Sequence, residues 1–427
     1  MVNELHRVHA QRPDITRLRR VGTSRLGDPI NELVIGTFDR HALVFGGVHP
    51  NEPIGNITAL HLIDTLLADQ ELRDQLGYTW HIVPCIDPDG MRLNEGWFEG
   101  PLTRAAYGRK FYRPAPNEQV EWTFPFSYKS AYFDQMLPET VALMRLIDDA
   151  KPAFMCSLHN GEYGGVYYYL SRQAPEIYSD LHMIAAALDL PLNTGEPEVP
   201  YVERYAPAIF SVLRSEDQYD FIESAGLDPS ERHVGSSSAA YASKYGTLTL
   251  MTEVPYWVHP DADDNSVIDQ TYSEVLREQA AGLRDAGEML AAALSAVATD
   301  LSIESPFIRA SRSAVHMLAR AVAQNEHRAD QPEAHRRATV SERFGCLDTV
   351  HVFRLRYGGM LLRALNGELA IGNATPVIRR EQESLDGLYE KWAGEADAMP
   401  AADTIPYGTL AAVQFAAILV TATYAAQ

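Results

Sequence analysis

Cysteine, positive charge and long apolar runs are all in short supply in this chain. Three cysteines, Cys85, Cys156 and Cys346, stand far apart in 427 residues. An odd, sparse set builds no disulfide framework and suits a reducing compartment. Lysine and arginine number 36 against 57 acidic residues, a formal net charge of −21. Such a surface argues against nucleic-acid partners, whose phosphates require a basic face. It can steer cationic substrates inward, or simply keep the protein soluble. The first residues, MVNELHRVHAQRPD, contain no apolar signal segment, so the expected location is cytoplasmic. The least polar stretch, YGTLAAVQFAAILVTATYAAQ, is rich in Ala and Thr and contains Gln414. A packed helix is a better reading of it than a membrane span.

What is present is an ordinary globular balance, 46% hydrophobic and 22% charged, long enough for a large core and an added domain. Residues 14–38 alternate around GTSRLGDPI and predict a β-hairpin. HALVFGGV, YTWHIVPCI, AFMCSL, GGVYYYLS and GTLTLMT read as strands, several of them apolar on both faces. Between them Ile57, Leu60, Ile63, Leu66 and Leu67 fall at helical intervals, as do ETVALMRLIDDAK and EIYSDLHMIAAALDL. Asn51 or Glu52 is positioned to cap the first of these helices, and Pro53 suits its first turn. Strands alternating with helices indicate an α/β sheet covered by helices. From about residue 265 the pattern is almost wholly helical. The expected organisation is a main domain over 1–300 and a helical C-terminal extension over 301–427. The segment 91–130 is long, aromatic and irregular, and carries Arg92, Arg104, Arg109 and Arg113; loops of this length usually serve a function.

Two H-x-x-E spacings occur, His49–Glu52 and His159–Glu162. About one is expected by chance in a chain of average composition, so position has to decide. Ligands of open α/β sheets gather at the carboxyl ends of strands, and His49, His159 and Glu253 each stand at or just past such an end. A catalytic zinc commonly takes three ligands from His and carboxylate and keeps one position open. His49, Glu52 and His159 form such a set, with Glu162 as the alternative carboxylate. Glu253 then suits proton transfer between water and a leaving amine.

In that order, GGVHPNEPIG, PCIDPDG, SLHNGE and TLTLMTEVPYW resemble the zinc carboxypeptidases of the M14 (carboxypeptidase A-like) family. GTSRLGDPI resembles their opening hairpin, and the likeness covers roughly residues 14–290. It implies a three-layer α/β/α fold with a mixed sheet of about eight strands, one zinc ion, and hydrolysis of an amide bond by water. It also implies His49, Glu52 and His159 as metal ligands and Glu253 as general base. By the same likeness Arg113, in GRKFYRPAP, is the candidate to stabilise the oxyanion. His233 stands near the place of a mobile tyrosine, with Tyr241 and Tyr245 as rivals.

One departure bears on substrate choice. Family members carry an Asn-Arg pair that grips the substrate carboxylate just before a Phe-Pro step, whereas this chain reads QVEWTFPF, with Glu121 and Trp122 in that place. A glutamate cannot hold a carboxylate by charge, as arginine does with two parallel hydrogen bonds. Either another arginine (Arg92, Arg104 or Arg109) takes over the clamp, or the substrate is not an ordinary peptide C-terminus. An acidic Glu121 would instead favour an amine-bearing group. The expected activity is hydrolysis of an amide in a small peptide or acyl-amino acid. A zinc-dependent deacylase and a non-catalytic peptide-binding protein on the same fold are the alternatives. No nucleic acid or membrane partner is expected, and the C-terminal helices are candidates to build a homo-oligomer.

Overall fold

The computed structural model describes residues 2–98, 102–229, 234–399 and 403–427. The chain divides into two compact units. The first comprises Met1–Met91, Asn117–Pro260 and Thr404–Gln427; the second comprises Arg92–Pro116 and Asp261–Asp403.

The first unit is built on a nine-stranded mixed sheet. Its strands are β1 (Thr16–Thr23), β2 (Pro29–Ile35), β3 (His41–Phe45), β4 (Thr79–Val83), β5 (Phe154–His159), β6 (Tyr167–Leu170), β7 (Arg204–Ala206), β8 (Ile209–Ser211) and β9 (Leu248–Glu253). Their spatial order is β1-β2-β4-β3-β5-β9-β6-β8-β7. The parallel heart, β4-β3-β5-β9, is flanked by antiparallel pairs, β2 with β4 and β9 with β6. Central parallel strands are covered on both faces. That is why β4, β5 and β9 are buried throughout and carry apolar residues on both faces.

Alternation along each strand sorts side chains between the two faces. Leu43, Phe45 and Met155 pack with Ala142, Leu143, Leu146 and Ile147 of the Pro138–Ala150 helix. The helices Ile54–Ala68, Tyr178–Ala187 and Tyr407–Ala425 pack together in the remaining layer, which completes the expected α/β/α arrangement. Among the described residues Tyr407–Ala425 is the one helix long and apolar enough to cross a bilayer. Here it packs inside the first unit: Phe415 meets His61 with ring centroids 4.8 Å apart, and Tyr78 donates its hydroxyl to the Ala422 carbonyl at 2.9 Å.

Strand β3 connects to β4 on one side, while the next parallel strand, β5, lies on the other. The gap between β3 and β5 is therefore a topological switch point, where carboxyl-end loops part and leave a crevice. Close backbone packing shapes it. A Cβ on Gly46 would fall 2.9 Å from the Gly55 backbone, and one on Gly55 only 2.7 Å from Leu158. Only glycine allows the start of the Ile54–Ala68 helix to sit this tightly against the turn after β3.

The second unit is helical, with Arg104–Lys110, Tyr272–Val297, Pro306–Ala329, Val340–Ala370 and Pro376–Asp397 as its main elements. Their starts are written in the sequence. Thr271 with Glu274 and Thr339 with Glu342 form complete capping boxes, while Ser305 and Thr375 cap helices that have proline in the first turn. The short helix Arg104–Lys110 packs backbone to backbone on Val340–Ala370, where a Cβ on Gly359 would lie 1.8 Å from the Gly108 carbonyl oxygen. Arg104 pairs with Asp348, both buried.

These packings divide the chain differently from the expected boundary at residue 300. Residues 92–116 and the Tyr272–Val297 helix join the helical unit, and the Tyr407–Ala425 helix returns to the sheet. Capping of the Ile54–Ala68 helix also differs from expectation. Pro53 occupies the cap position with no side-chain bond, because the Glu52 carboxylate is directed at two histidines.

Candidate metal centre

Three side chains meet at the switch point. His49 lies in the turn after β3, Glu52 one turn further on, and His159 ends β5. His49 Nδ1 stands 3.1 Å from each Glu52 carboxylate oxygen and 3.1 Å from His159 Nδ1; His159 Nδ1 stands 3.2 Å from Glu52 Oε2. All three residues are buried, and among the described residues they form the one grouping of His, Cys, Asp or Glu able to hold a metal ion.

The donor set fits zinc. An ionised carboxylate only accepts, and two imidazole nitrogens facing each other can share at most one proton between them. A cation resolves that convergence of lone pairs. Three ligand atoms about 2 Å from a tetrahedral zinc lie roughly 3.3 Å apart, close to the spacing found here. His–carboxylate sites of this kind also leave a coordination position open for water or substrate.

Neighbouring groups hold the ligands from behind. Ser157, two residues before His159 and hence on the same face of β5, places Oγ 2.8 Å from His159 Nε2. With Nε2–H donated to that oxygen, Nδ1 keeps its lone pair for a metal. Buried Tyr256 donates its hydroxyl to the Asn51 carbonyl at 3.0 Å and steadies the turn that carries His49 and Glu52. Gln414, from the Tyr407–Ala425 helix, donates Nε2 to the His159 carbonyl at 2.6 Å and to the Thr252 carbonyl at 3.4 Å. Its Oε1 accepts from Thr58 Oγ1 at 2.6 Å.

Glu253 ends β9 directly opposite His159 in the parallel register, and its Oε1 lies 3.7 Å from His159 Nδ1. The carboxylate expected to move protons is thus beside the metal group. Glu121 is also in the first unit and only 2% exposed. Its carboxylate accepts from Ser238 Oγ at 3.0 and 3.1 Å and from Ser238 N at 3.2 Å. Burial pushes Glu121 up to about 7, against the pull of the His159 charge and the Ser238 bonds. Among the described residues no lysine or arginine pairs with it. Trp122 is half-buried in the same short 3-10 turn, and its carbonyl accepts from Gly235 N at 2.8 Å.

Glu162, Tyr241 and Tyr245 have other partners. Glu162 does not join the metal group; its carbonyl accepts from the Tyr256 and Trp257 amides. Tyr241 and Tyr245 both donate their hydroxyls to Asp148, at 2.7 and 2.8 Å. Arg109 and Arg113 belong to the second unit. Arg109 is paired there with Asp386 and Glu390 and lies over the Tyr389 ring at 4.5 Å. His233 lies outside the described residues. Sequence reasoning passed over Ser157, Thr58 and Tyr256. Ser157 alone carried a usable signal, its two-residue spacing from His159.

Residues 1–196 match the family model described as zinc carboxypeptidase, Peptidase_M14. The matched segment contains His49, Glu52 and His159, and Glu253 lies beyond it. Among solved structures, carboxypeptidase A from Helicoverpa armigera is 17% identical with a TM-score of 0.36, the match covering 59% of this chain and 62% of that one. A metallo-carboxypeptidase from Burkholderia cenocepacia is 16% identical with a TM-score of 0.32, covering 62% of this chain and 60% of that one. Bovine thrombin-activatable fibrinolysis inhibitor, in complex with a tick carboxypeptidase inhibitor, is 13% identical with a TM-score of 0.34, covering 58% and 83%. The chain thus spans about three fifths of the length of the first two structures. The family resemblance thus lies in residues 1–196, the segment that brings the two histidines and the glutamate to one point and matches the zinc carboxypeptidase model.

Proposed function

We propose that the first unit hydrolyses an amide bond in a small peptide or acyl-amino acid, using one zinc ion held by His49, Glu52 and His159. The observation that carries this reading is the convergence of two Nδ1 atoms and a carboxylate within 3.1–3.2 Å, with Glu253 beside them. Zinc bound there would polarise the scissile carbonyl and acidify water. Glu253 takes the water's proton and delivers it to the leaving amine, which would otherwise depart as an unstable anion. Its place opposite His159 on a fully paired strand keeps the carboxylate within reach throughout.

The substrate reading follows from charge. The site includes three buried carboxylates, Glu52, Glu121 and Glu253. Glu121 stands in the position where a carboxylate-gripping residue was expected. With Glu52 taken up by the metal, an ionised Glu121 is the group that disfavours a substrate carboxylate and favours a neutral group or an ammonium. An amino group presented to Glu121 would form a charge-assisted hydrogen bond in a water-poor pocket. The compartment we propose is the cytoplasm, since the sequence holds only three cysteines, Cys85, Cys156 and Cys346, far apart along the chain.

The test combines metal removal with Glu253→Gln. Stripping zinc should abolish hydrolysis of a mixed library of free-ended peptides and N-acyl amino acids, and adding it back should restore activity. E253Q should still bind zinc yet lose about 10²–10⁴ in kcat. Full turnover by metal-free protein would end the proposal. Zinc-loaded protein inert across the library would favour a binding protein on the same fold, and preference for N-acyl amino acids would favour the deacylase.

A further inference from the structure

Gln414 is a polar residue in the midst of an apolar helix, within TLAAVQFAAILV, and it is 0% exposed. A primary amide so placed has two donors and an acceptor to satisfy, and leaving them unmet in the interior is costly. The fold meets that demand at one place. Nε2 donates to the His159 carbonyl at 2.6 Å and reaches the Thr252 carbonyl at 3.4 Å, and Oε1 accepts from Thr58 Oγ1 at 2.6 Å. Each partner belongs to an element that carries or closely follows a site residue. His159 is itself a ligand at the end of β5. Thr252 immediately precedes Glu253 on β9. Thr58 lies in the first turns of the Ile54–Ala68 helix, which begins two residues after Glu52.

We propose that Gln414 is a positioning residue for the metal site, its side-chain amide fixing the end of β5 to the end of β9 and to the helix behind Glu52. The physical route is short. The direction of the His159 carbonyl is set by that residue's own backbone torsion, which also directs its Cα–Cβ bond and hence the ring. One planar amide spanning the carbonyls of both strands ties the orientation of His159 to that of Glu253. Their side chains stand 3.7 Å apart beyond the last rung of the ladder. Apolar packing of the helix would hold the layers together without fixing either carbonyl.

This inference rests on the metal reading above, and the experiment separates the two. Zinc affinity is measured by competition with a chromophoric chelator. Thermal midpoints of metal-stripped protein are recorded alongside, with kcat and KM at saturating zinc, for wild type, Q414L, T58V and T421V. Q414L keeps bulk but removes every hydrogen bond, and T58V is nearly isosteric and removes one. T421V alters a buried hydroxyl on the same helix that has no hydrogen-bond partner. Outer partners of metal ligands typically contribute 10–100-fold in affinity. Q414L should therefore bind zinc about tenfold more weakly and lose kcat at saturating zinc with KM within about twofold. T58V should move the same way by less, and T421V should match wild type. If Q414L does not fold, T58V carries the test. Zinc affinity and kcat at wild-type levels in Q414L, or in T58V where Q414L is lost, would overturn the proposal whatever the thermal midpoint. Failure of the wild type to take up zinc would overturn the metal reading and this inference together.

Discussion

Removing a single hydroxyl tests how firmly the ring of His159 is held. Ser157 is completely buried on β5, and its Oγ lies 2.8 Å from His159 Nε2. Ser157→Ala deletes that oxygen with almost no change in volume, so the perturbation is confined to one bond. A buried nitrogen left without its partner costs about 1–3 kcal/mol. The ring recovers part of this by turning, and turning moves Nδ1 away from His49 Nδ1 and Glu52 Oε2, now 3.1 and 3.2 Å distant. The cost therefore falls on the metal-bound state. At about 1.4 kcal/mol per factor of ten, it corresponds to roughly 10–100-fold weaker zinc binding, the range typical of outer partners. Chelator competition gives the affinity directly. Hydrolysis should fall about tenfold at limiting zinc and recover most of its loss when zinc is saturating. S157A with zinc affinity within about twofold of wild type, and the same activity at limiting zinc, would refute the idea that Ser157 sets the ring's tautomer and direction.

Three further outcomes are expected. Glu121→Gln keeps an acceptor for Ser238 but loses the charge; the kcat/KM preference for amine-bearing over neutral isosteric substrates should drop about 10-fold or more, the strength of a charged hydrogen bond, and an unchanged preference would remove Glu121 from substrate selection. Asp87 is buried, accepts from Gly90 N at 2.9 Å, and is pushed by burial up to about 6. Since its folded-state pKa lies above the unfolded value, the folded protein binds the proton more tightly and loses stability as pH rises from about 4 to 6. Asp87→Asn should escape that loss, gaining roughly 3 kcal/mol relative to wild type between pH 4 and pH 7, and parallel stability–pH curves from denaturant titrations would contradict it. In the second unit, Gly359→Ala drives a methyl into the Gly108 carbonyl, whereas a Cβ on Gly367 of the same helix meets nothing within 4 Å. G359A should destabilise by about 2–3 kcal/mol and G367A stabilise by about 0.5–1 kcal/mol, read from thermal unfolding; equal effects would show that the helices do not pack so closely.

The metal group was legible because its chemistry is local to strand ends. HALVF, AFMCSL and TLTLMT announce buried parallel strands through largely apolar residues; His159 and Glu253 follow theirs at once and His49 follows after Gly46–Gly47–Val48. Glu52 was legible as a ligand by spacing yet misleading as a helix cap, since the same carboxylate cannot turn both to the helix amides and to two histidines. The boundary between units was not legible. Residues 92–116 join the helical unit through Gly108 against Gly359 and Arg104 against Asp348, pairings more than two hundred positions apart that no periodicity records. The same holds for Gln414. Its helix announced itself as packed, but its hydrogen-bond partners, Thr58, His159 and Thr252, are distributed across the whole sheet-bearing half.

The return of the Tyr407–Ala425 helix to the sheet has a consequence for how the protein is made. On a ribosome moving at about 5–20 residues per second, Gln414 is synthesised roughly 360 residues after Glu52, a delay of roughly 20–70 s. From Glu253 onward, a little under half of that interval, both histidines, Glu52 and Glu253 already exist in the nascent chain, while the amide that aligns them does not. Alignment of His159 with Glu253 through that amide therefore comes late in synthesis, after every residue that it aligns has been made.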